Sequence, residues 1–386
     1  MFRTPIERVR GGRRRDGGPA TRVPGPCRRP AEADEGVTVL KLGIEEEFHV
    51  VDLTTKQVVP SARGLLDRLP IGAFVGDRDT ASTIRLVGSA HHELGDLRGE
   101  LVALRGILVQ RAAGLHLGAL ASGTAPLPGR DEPAAAEPTG GRLTCGMFVR
   151  VEAEDDEVAA RAIAWIMPHV PTLLALSSSS PYWAGRDTGH ASWRRHRLDA
   201  SAPAQAVGGA GASPRKAFHP PLRLSPHAPM LELRVCDAIA DVEATVAIAA
   251  LFRALYRHAS RAVVAHRTPP AGSPTIARQA MRHAARSGLA HDLIDPVAAV
   301  TRPAATVVRA LVAEMAPYLR ETDDLDRVET AIERVLTEGT GAARQRGAAR
   351  AGGPSAAVDR ELARTMACVA VTDTAPAPTA RLTAHG

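Results

Sequence analysis

Lysine is nearly missing from this chain: Lys41, Lys56 and Lys216 are the only three among 48 basic residues. Arginine therefore carries almost all of the positive charge, and because alanine is inflated too, a single arginine carries less functional weight here than usual. Cysteine is scarce as well. Cys27, Cys145, Cys236 and Cys368 stand far apart and never form a CxxC pair, which argues against a disulfide framework or a zinc knuckle and leaves ordinary reduced thiols. No apolar run approaches the roughly 20 residues that cross a bilayer, and the N-terminus lacks the apolar centre of a secretory signal. A cytoplasmic protein with no membrane partner is expected. Internal repeats are absent.

The net charge of +6 is uneven. Residues 1–36 hold nine arginines against five acids, with one aromatic, Phe2, and no periodic pattern. This arm reads as a disordered extension in preference to a nucleic-acid surface. With 386 residues, 45% of them hydrophobic, the chain can build one large or two medium domains. Stretches 1–36, Pro126 to Gly141 and Ala200 to Ser213 look unstructured. Strands are expected at Val37 to Asp52, Ser82 to Ala90, Arg142 to Ala153 and His219 to Asp237, the last turning at Ser225-Pro226-His227. Helical spacing runs through Leu97 to Ala119, Asp155 to Leu176, Val242 to Ala265, Thr275 to Ser287, Ala304 to Leu319 and Leu325 to Glu338. Pro168 and Pro171 must kink or divide the second of these. Strands scattered among helices predict an α+β fold: a mostly antiparallel sheet with helices on its apolar side.

Two strands carry charge where a strand normally buries apolar groups. In LGIEEEFHVV, Leu42 to Val51, alternation puts Gly43, Glu45, Glu47 and His49 on one face and Ile44, Glu46, Phe48 and Val50 on the other. Two neighbouring carboxylates repel unless they share a proton or a cation, so the pair is either an exposed edge or a hard-cation site. MLELRVCD, Met230 to Asp237, repeats the pattern, with Leu231, Leu233 and Val235 behind and Glu232, Arg234 and Cys236 in front. If both strands share a sheet, Glu45, Glu47 and Glu232 could converge on Mg²⁺ with Arg234 beside them for a phosphate or carboxylate. Carboxylates, metal and arginine on one face suit phosphoryl transfer, which depends on charge neutralisation and positioning.

GIEEEFHVVD, LALSSSSPYWAGRDTGHASWR (Leu174 to Arg194), LELRVCDAIADV and EGTGAARQR (Glu338 to Arg346) occur in that order. Together they resemble the carboxylate–amine ligase family related to glutamate–cysteine ligase type 2. The resemblance covers roughly Val37 to Ala367, so a ligase-like domain is expected at 37–370, with 371–386 a disordered tail. It implies a glutamine-synthetase-like antiparallel sheet and an ATP-dependent ligase that joins a carboxylic acid, such as glutamate, to an amine through an acyl phosphate. Carried over by position, Glu45, Glu47 and Glu232 would hold the metal ions that bridge the ATP phosphates, and Arg234 would face the transferred phosphoryl or the substrate carboxylate. Arg186 and Asp187 would line a pocket or form an internal turn pair; Arg194 and Arg223 match family arginines. Gly339 to Gly341 would approach phosphate or cap a helix. A homodimer is the default expectation.

Several positions depart from the family. Phe148 and Arg150 stand where two histidines are usual, Leu86 where a glutamate is, Ala125 for a histidine and Ser179 for an asparagine; the acidic, amide and tryptophan positions near Arg282 to Leu289 also look lost. His91 and His92 either compensate for the missing glutamate or are exposed turn residues. Arg150 would face ATP phosphate in place of a metal. Three readings follow: a ligase with a reduced metal site, a catalytically impaired homologue that binds nucleotide, amino acid or a protein partner, and a nucleic-acid contact through the arm.

Overall fold

The computed structural model of the chain describes residues 39–76, 81–127, 129, 144–201, 220–226 and 229–370. The basic arm, the tail at 371–386 and most of the Pro126 to Gly141 and Ala200 to Ser213 stretches lie outside them. From the N-terminal side the elements are β1 (Leu42–Asp52), α1 (Ala62–Leu66), β2 (Phe74–Gly76), β3 (Thr83–His91), α2 (Leu94–Ala113), β4 (Leu117–Leu120) and β5 (Met147–Glu152). Then come α3 (Asp156–Ile166), α4 (Val170–Ser177), the short hairpin β6 (Tyr182–Trp183) and β7 (Arg186–Asp187), α5 (Trp193–Ser201), β8 (Leu222–Leu224) and β9 (Met230–Leu233). The C-terminal part is helical apart from one hairpin: α6 (Val242–Val264), α7 (Pro274–Ser287), β10 (Leu293–Asp295), β11 (Val300–Arg302), α8 (Ala304–Arg320), α9 (Leu325–Glu338) and α10 (Gly341–Ala370).

The main sheet is antiparallel, in the order β2-β3-β1-β5-β9-β8. β1 is long enough to be shared on one side: its first half lies against β5 and its second against β4. Ile44, Phe48, Val50, Ile84, Leu86, Met147, Val149, Val151, Leu231 and Leu233 form the buried back of this sheet, covered by α2, α3 and α6. α6 is buried almost throughout because α3, α4, α8 and α9 enclose its other sides. Asp241 caps its start, accepting from the N–H groups of Glu243 and Ala244.

The α+β class and the antiparallel sheet are as the alternation predicts, and the departures have local causes. The helix expected through Ala119 stops at Ala113, because Gly114 and the left-handed His116 (φ 57°) turn the chain into β4. The prolines divide the second helix as expected: a 3₁₀ turn at Met167–His169 separates α3 from α4. Taken together, Asp156–Ser177 is long and apolar enough to cross a membrane, with mean hydropathy 1.3, an exception to the sequence reading. Half of it is buried and it packs on α6 and α7, so it serves here as a core element. The buried partner of Glu46 could not be read from the sequence: Glu46 lies behind the sheet, gripped by Arg105 of α2 at 2.9 and 2.5 Å. Arg105 also donates to the carbonyls of Ala240 and Ile239, fastening β1 to the entry of α6.

Candidate functional site

The front of the sheet gathers the charged residues. Across the register, Arg223 of β8 stands opposite Glu232 of β9, Glu232 opposite Arg150 of β5, and Arg150 opposite Gly43 of β1. One step along, Glu45 faces Phe148, and one step further Glu47 faces Arg85 of β3. Arg234 follows β9. Cross-strand neighbours on one face touch, so the three glutamates expected from sequence do converge, and so do Arg150, Arg223 and Arg234.

Every carboxylate oxygen in this group faces a nitrogen donor. Glu45 Oε1 lies 2.5 Å from Arg150 Nη2, and Oε2 lies 3.8 Å from Arg85 Nη1. Glu47 accepts from Arg85 Nη2 at 2.7 Å and from the Gly146 N–H at 2.8 Å. Glu232 Oε2 accepts from Arg223 Nε at 2.7 Å and Arg234 Nη1 at 3.3 Å, while Oε1 is 3.4 Å from Arg150 Nε, at ion-pair distance without hydrogen-bond geometry. Burial pushes the Glu232 carboxyl up, but Arg223, Arg150 and Arg234 outweigh it and hold the group below the usual carboxylate range.

Four guanidiniums against three carboxylates leave the face with an excess positive charge, and they are layered. Side chains of Glu232, Glu45 and Glu47 are only 2, 9 and 16% exposed, whereas Arg234, Arg150, Arg223 and Arg85 are 21, 30, 38 and 42% exposed. Carboxylates make the floor and guanidiniums the rim. Phe148 lies between two of them: Arg234 stacks 4.5 Å and Arg85 5.6 Å from its ring centroid, which holds the guanidiniums over an apolar platform. His49 ends the same row of β1, fully buried, with neither ring nitrogen hydrogen-bonded.

Other expected residues go elsewhere. Arg194 turns inward, donating to the carbonyls of Val235 and Cys236 at 3.3 and 2.9 Å and lying 3.8 Å from Asp237; it positions the backbone after β9 and does not line the face. A side chain at Gly146 would collide with it. Asp237 is the buried hub of the serine motif, accepting from Ser179 N, Ser180 Oγ and Ser192 Oγ; burial pushes its carboxyl up. Arg186 and Asp187 are exposed on the β6–β7 hairpin, and Asp187 forms a two-pronged pair with Arg346 of the C-terminal motif at 2.8 Å instead of pairing within the turn. Gly339 (φ 85°) ends α9, and Gly341 presses on Ser179, which makes the cap the observed role of this segment. Gln345 donates to Ser122 Oγ and Ser179 O.

The positions expected to depart from the family can now be placed. Leu86 is in the core, opposite Glu46; the β3 residue that faces Glu47 is Arg85, a displacement that follows from strand alternation. Ala125 packs with Val51, Val58 and Leu120 in a small apolar cluster. His91 ends β3 paired with Glu100, half-buried, and only His92, in the bend that follows, is exposed, meeting the Val39 carbonyl. Cys236 is fully buried in the core, where burial pushes its thiol up to about 12, the setting of a structural cysteine.

The family description Glutamate-cysteine ligase family 2 (GCS2) matches residues 41–219 and 215–361. The chain belongs to this family. It is 35% identical over 340 residues to the protein named "Putative glutamate--cysteine ligase 2-3" of Frankia alni, covering 79% of this chain and 39% of that protein. A like-named 2-2 protein of Mycolicibacterium smegmatis is 35% identical over 359 residues, 83% of this chain and 90% of that one. The chain spans about two fifths of the Frankia alni protein and of a second relative, from Frankia casuarinae. The fold also matches a glutamate–cysteine ligase of Francisella tularensis solved with AMP (TM-score 0.59, 13% identity, 88% and 90% of the two chains) and the ligase PafA in complex with the ubiquitin-like protein Pup (TM-score 0.53, 11% identity, 82% and 69%).

The donor set does not suit the divalent cation that the family resemblance implies. A hard cation needs free carboxylate oxygens; here four of the six lie 2.5–2.8 Å from a guanidinium or amide nitrogen, and the other two, Glu45 Oε2 and Glu232 Oε1, stand 3.8 and 3.4 Å from a guanidinium. Among the described residues no group of three or more His, Cys, Asp or Glu side chains is arranged to hold a metal ion.

Proposed function

We propose that this chain is an ATP-dependent carboxylate–amine ligase acting on a small carboxylic acid, an amino acid such as glutamate, and an amine. A carboxylate oxygen of the acid attacks the γ-phosphorus of ATP; the bond from that phosphorus to the β,γ-bridging oxygen breaks and ADP leaves. The amine nitrogen then attacks the acyl carbon, phosphate departs with the C–O electron pair, and the nitrogen loses a proton to give the amide. The observation that supports this reading is the layered face: guanidiniums of Arg150, Arg223, Arg234 and Arg85 are its accessible layer, fixed by buried glutamates. Preorganised donors of this kind stabilise charge that develops on transferring phosphoryl oxygens. Arg234 and Arg150 take the roles nearest the phosphoryl group, and the glutamates aim them.

Saturation of the carboxylates also favours a second reading, a homologue that binds nucleotide, amino acid or a protein partner without forming the amide. One assay separates them: ADP or phosphate release from ATP with a panel of amino acids and amines, beside a Glu45→Ala, Glu47→Ala double variant. The ligase reading predicts donor-dependent release that the double variant loses. Release no greater than that of the variant, with ATP still bound, supports binding alone.

A further inference from the structure

We propose that the Arg150 guanidinium takes the place of a divalent cation in this chain, so that the glutamate cluster is closed to metal and the face receives phosphate or carboxylate groups directly. Arg150 lies between the two carboxylates that a bridging cation would join, 2.5 Å from Glu45 Oε1 and 3.4 Å from Glu232 Oε1. It can reach both because its cross-strand neighbour on β1 is Gly43, which has no side chain to block the way, and on the other side is Glu232 itself.

The surroundings are built to the same end. Arg85 takes Glu47 and approaches the second oxygen of Glu45, and Arg223 and Arg234 take the second oxygen of Glu232. Phe148, on the same strand as Arg150, offers no ligand atom but seats the Arg85 and Arg234 guanidiniums. A dication entering here would meet four monocations, and like charges a few ångströms apart cost more in a site this buried than in water. It would also have to strip the N–H donors from carboxylates that are nearly inaccessible, freeing guanidiniums that then lose their partners. Arg150 is tethered to β5, and a guanidinium loses less hydration on burial than a small ion does. An anion meets the opposite situation. The exposed edges of the guanidiniums are the first groups it encounters, and a guanidinium can give two parallel hydrogen bonds to phosphate or carboxylate.

This inference rests on the ligase reading for its ligand, but its test does not. Mn²⁺ alone, as a probe of the hard-cation site, is titrated into the full chain and the free ion read by electron paramagnetic resonance. Wild type is expected to leave Mn²⁺ free at millimolar concentration. Arg150→Ala and the better-filling Arg150→Gln, each checked for folding by circular dichroism, are expected to take up about one ion per chain, at least about tenfold more tightly than wild type. Adding Glu232→Gln should abolish that uptake. Stoichiometric uptake by wild type that Glu45→Gln or Glu232→Gln removes would overturn the inference, as would folded Arg150 variants that gain none; if neither variant folds, the wild-type titration decides alone. A chain that takes up no Mn²⁺ and turns over no ATP would keep this inference and lose the ligase reading.

Discussion

At His49 the charged row of β1 runs into the protein interior. Its imidazole is fully buried, with no well-formed hydrogen bond to either ring nitrogen. Burial pushes its pKa down to about 4, the Ser122 backbone opposing only in part. In the unfolded chain the value returns to about 6.5. Between the two, the unfolded chain binds a proton that the folded chain does not, so stability rises with pH across this window and is lost as pH falls from about 6.5 to about 4. The full swing is about 3 kcal/mol. Urea unfolding at pH about 7 and about 4.5 is expected to show most of this loss in wild type and much less in His49→Gln; an equal loss in both contradicts the assignment. The front row shows how far residue reading reaches. Alternation put Glu45 beside Glu47 and Glu232 beside Arg234, and the shared antiparallel sheet brings the two groups and Arg150 together. Arg85 escaped notice because its place depends on the β1–β3 register, which the sequence does not state. Arg194 was misplaced for a different reason: in a chain this rich in arginine, residue type does not tell a ligand-facing guanidinium from one that ties down backbone carbonyls.

On the scale of elements, the strand with charge on its apolar side was a visible anomaly, and its resolution was not. Glu46 has no place in the core unless something neutralises it, and the partner came from α2, 59 residues away. Removing one member of a buried pair strands the other. Arg105→Met alone is expected to lower unfolding stability by about 3–5 kcal/mol, while Glu46→Leu with Arg105→Met recovers most of it. A single variant with unchanged urea midpoint, or a double variant no better than the single, would show that the pair does not bear on stability. The long helices and the four principal strand regions were legible because their apolar periods are long. β4 was read as helix, since four residues carry no period, and α5 and α10 were missed. α10 is held through polar contacts that no local pattern announces, Gln345 on the serine segment and Arg346 on Asp187, while Arg344 ties its first part to the buried Glu361 beyond the break at Gly352 and Gly353.

At the scale of the described molecule, two groups of polar contacts do different work. One joins the C-terminal helices to the middle of the chain: Asp241, which caps α6, also receives Arg334 of α9 and Arg364 of α10 at 2.6 Å. The other is the front of the sheet, where buried glutamates present arginines outward. Family membership and fold follow from the comparisons and the antiparallel sheet; the use of the charged face is what the proposals above address. The central claim is that guanidiniums, without a metal ion, hold the phosphates of the nucleotide. Equilibrium binding of ATP, measured by calorimetry once in EDTA and once in Mg²⁺ at equal ionic strength, tests it most directly. Affinities within about threefold of each other, both weakening as salt is raised, are the predicted result. Binding that appears only with Mg²⁺ would contradict the claim.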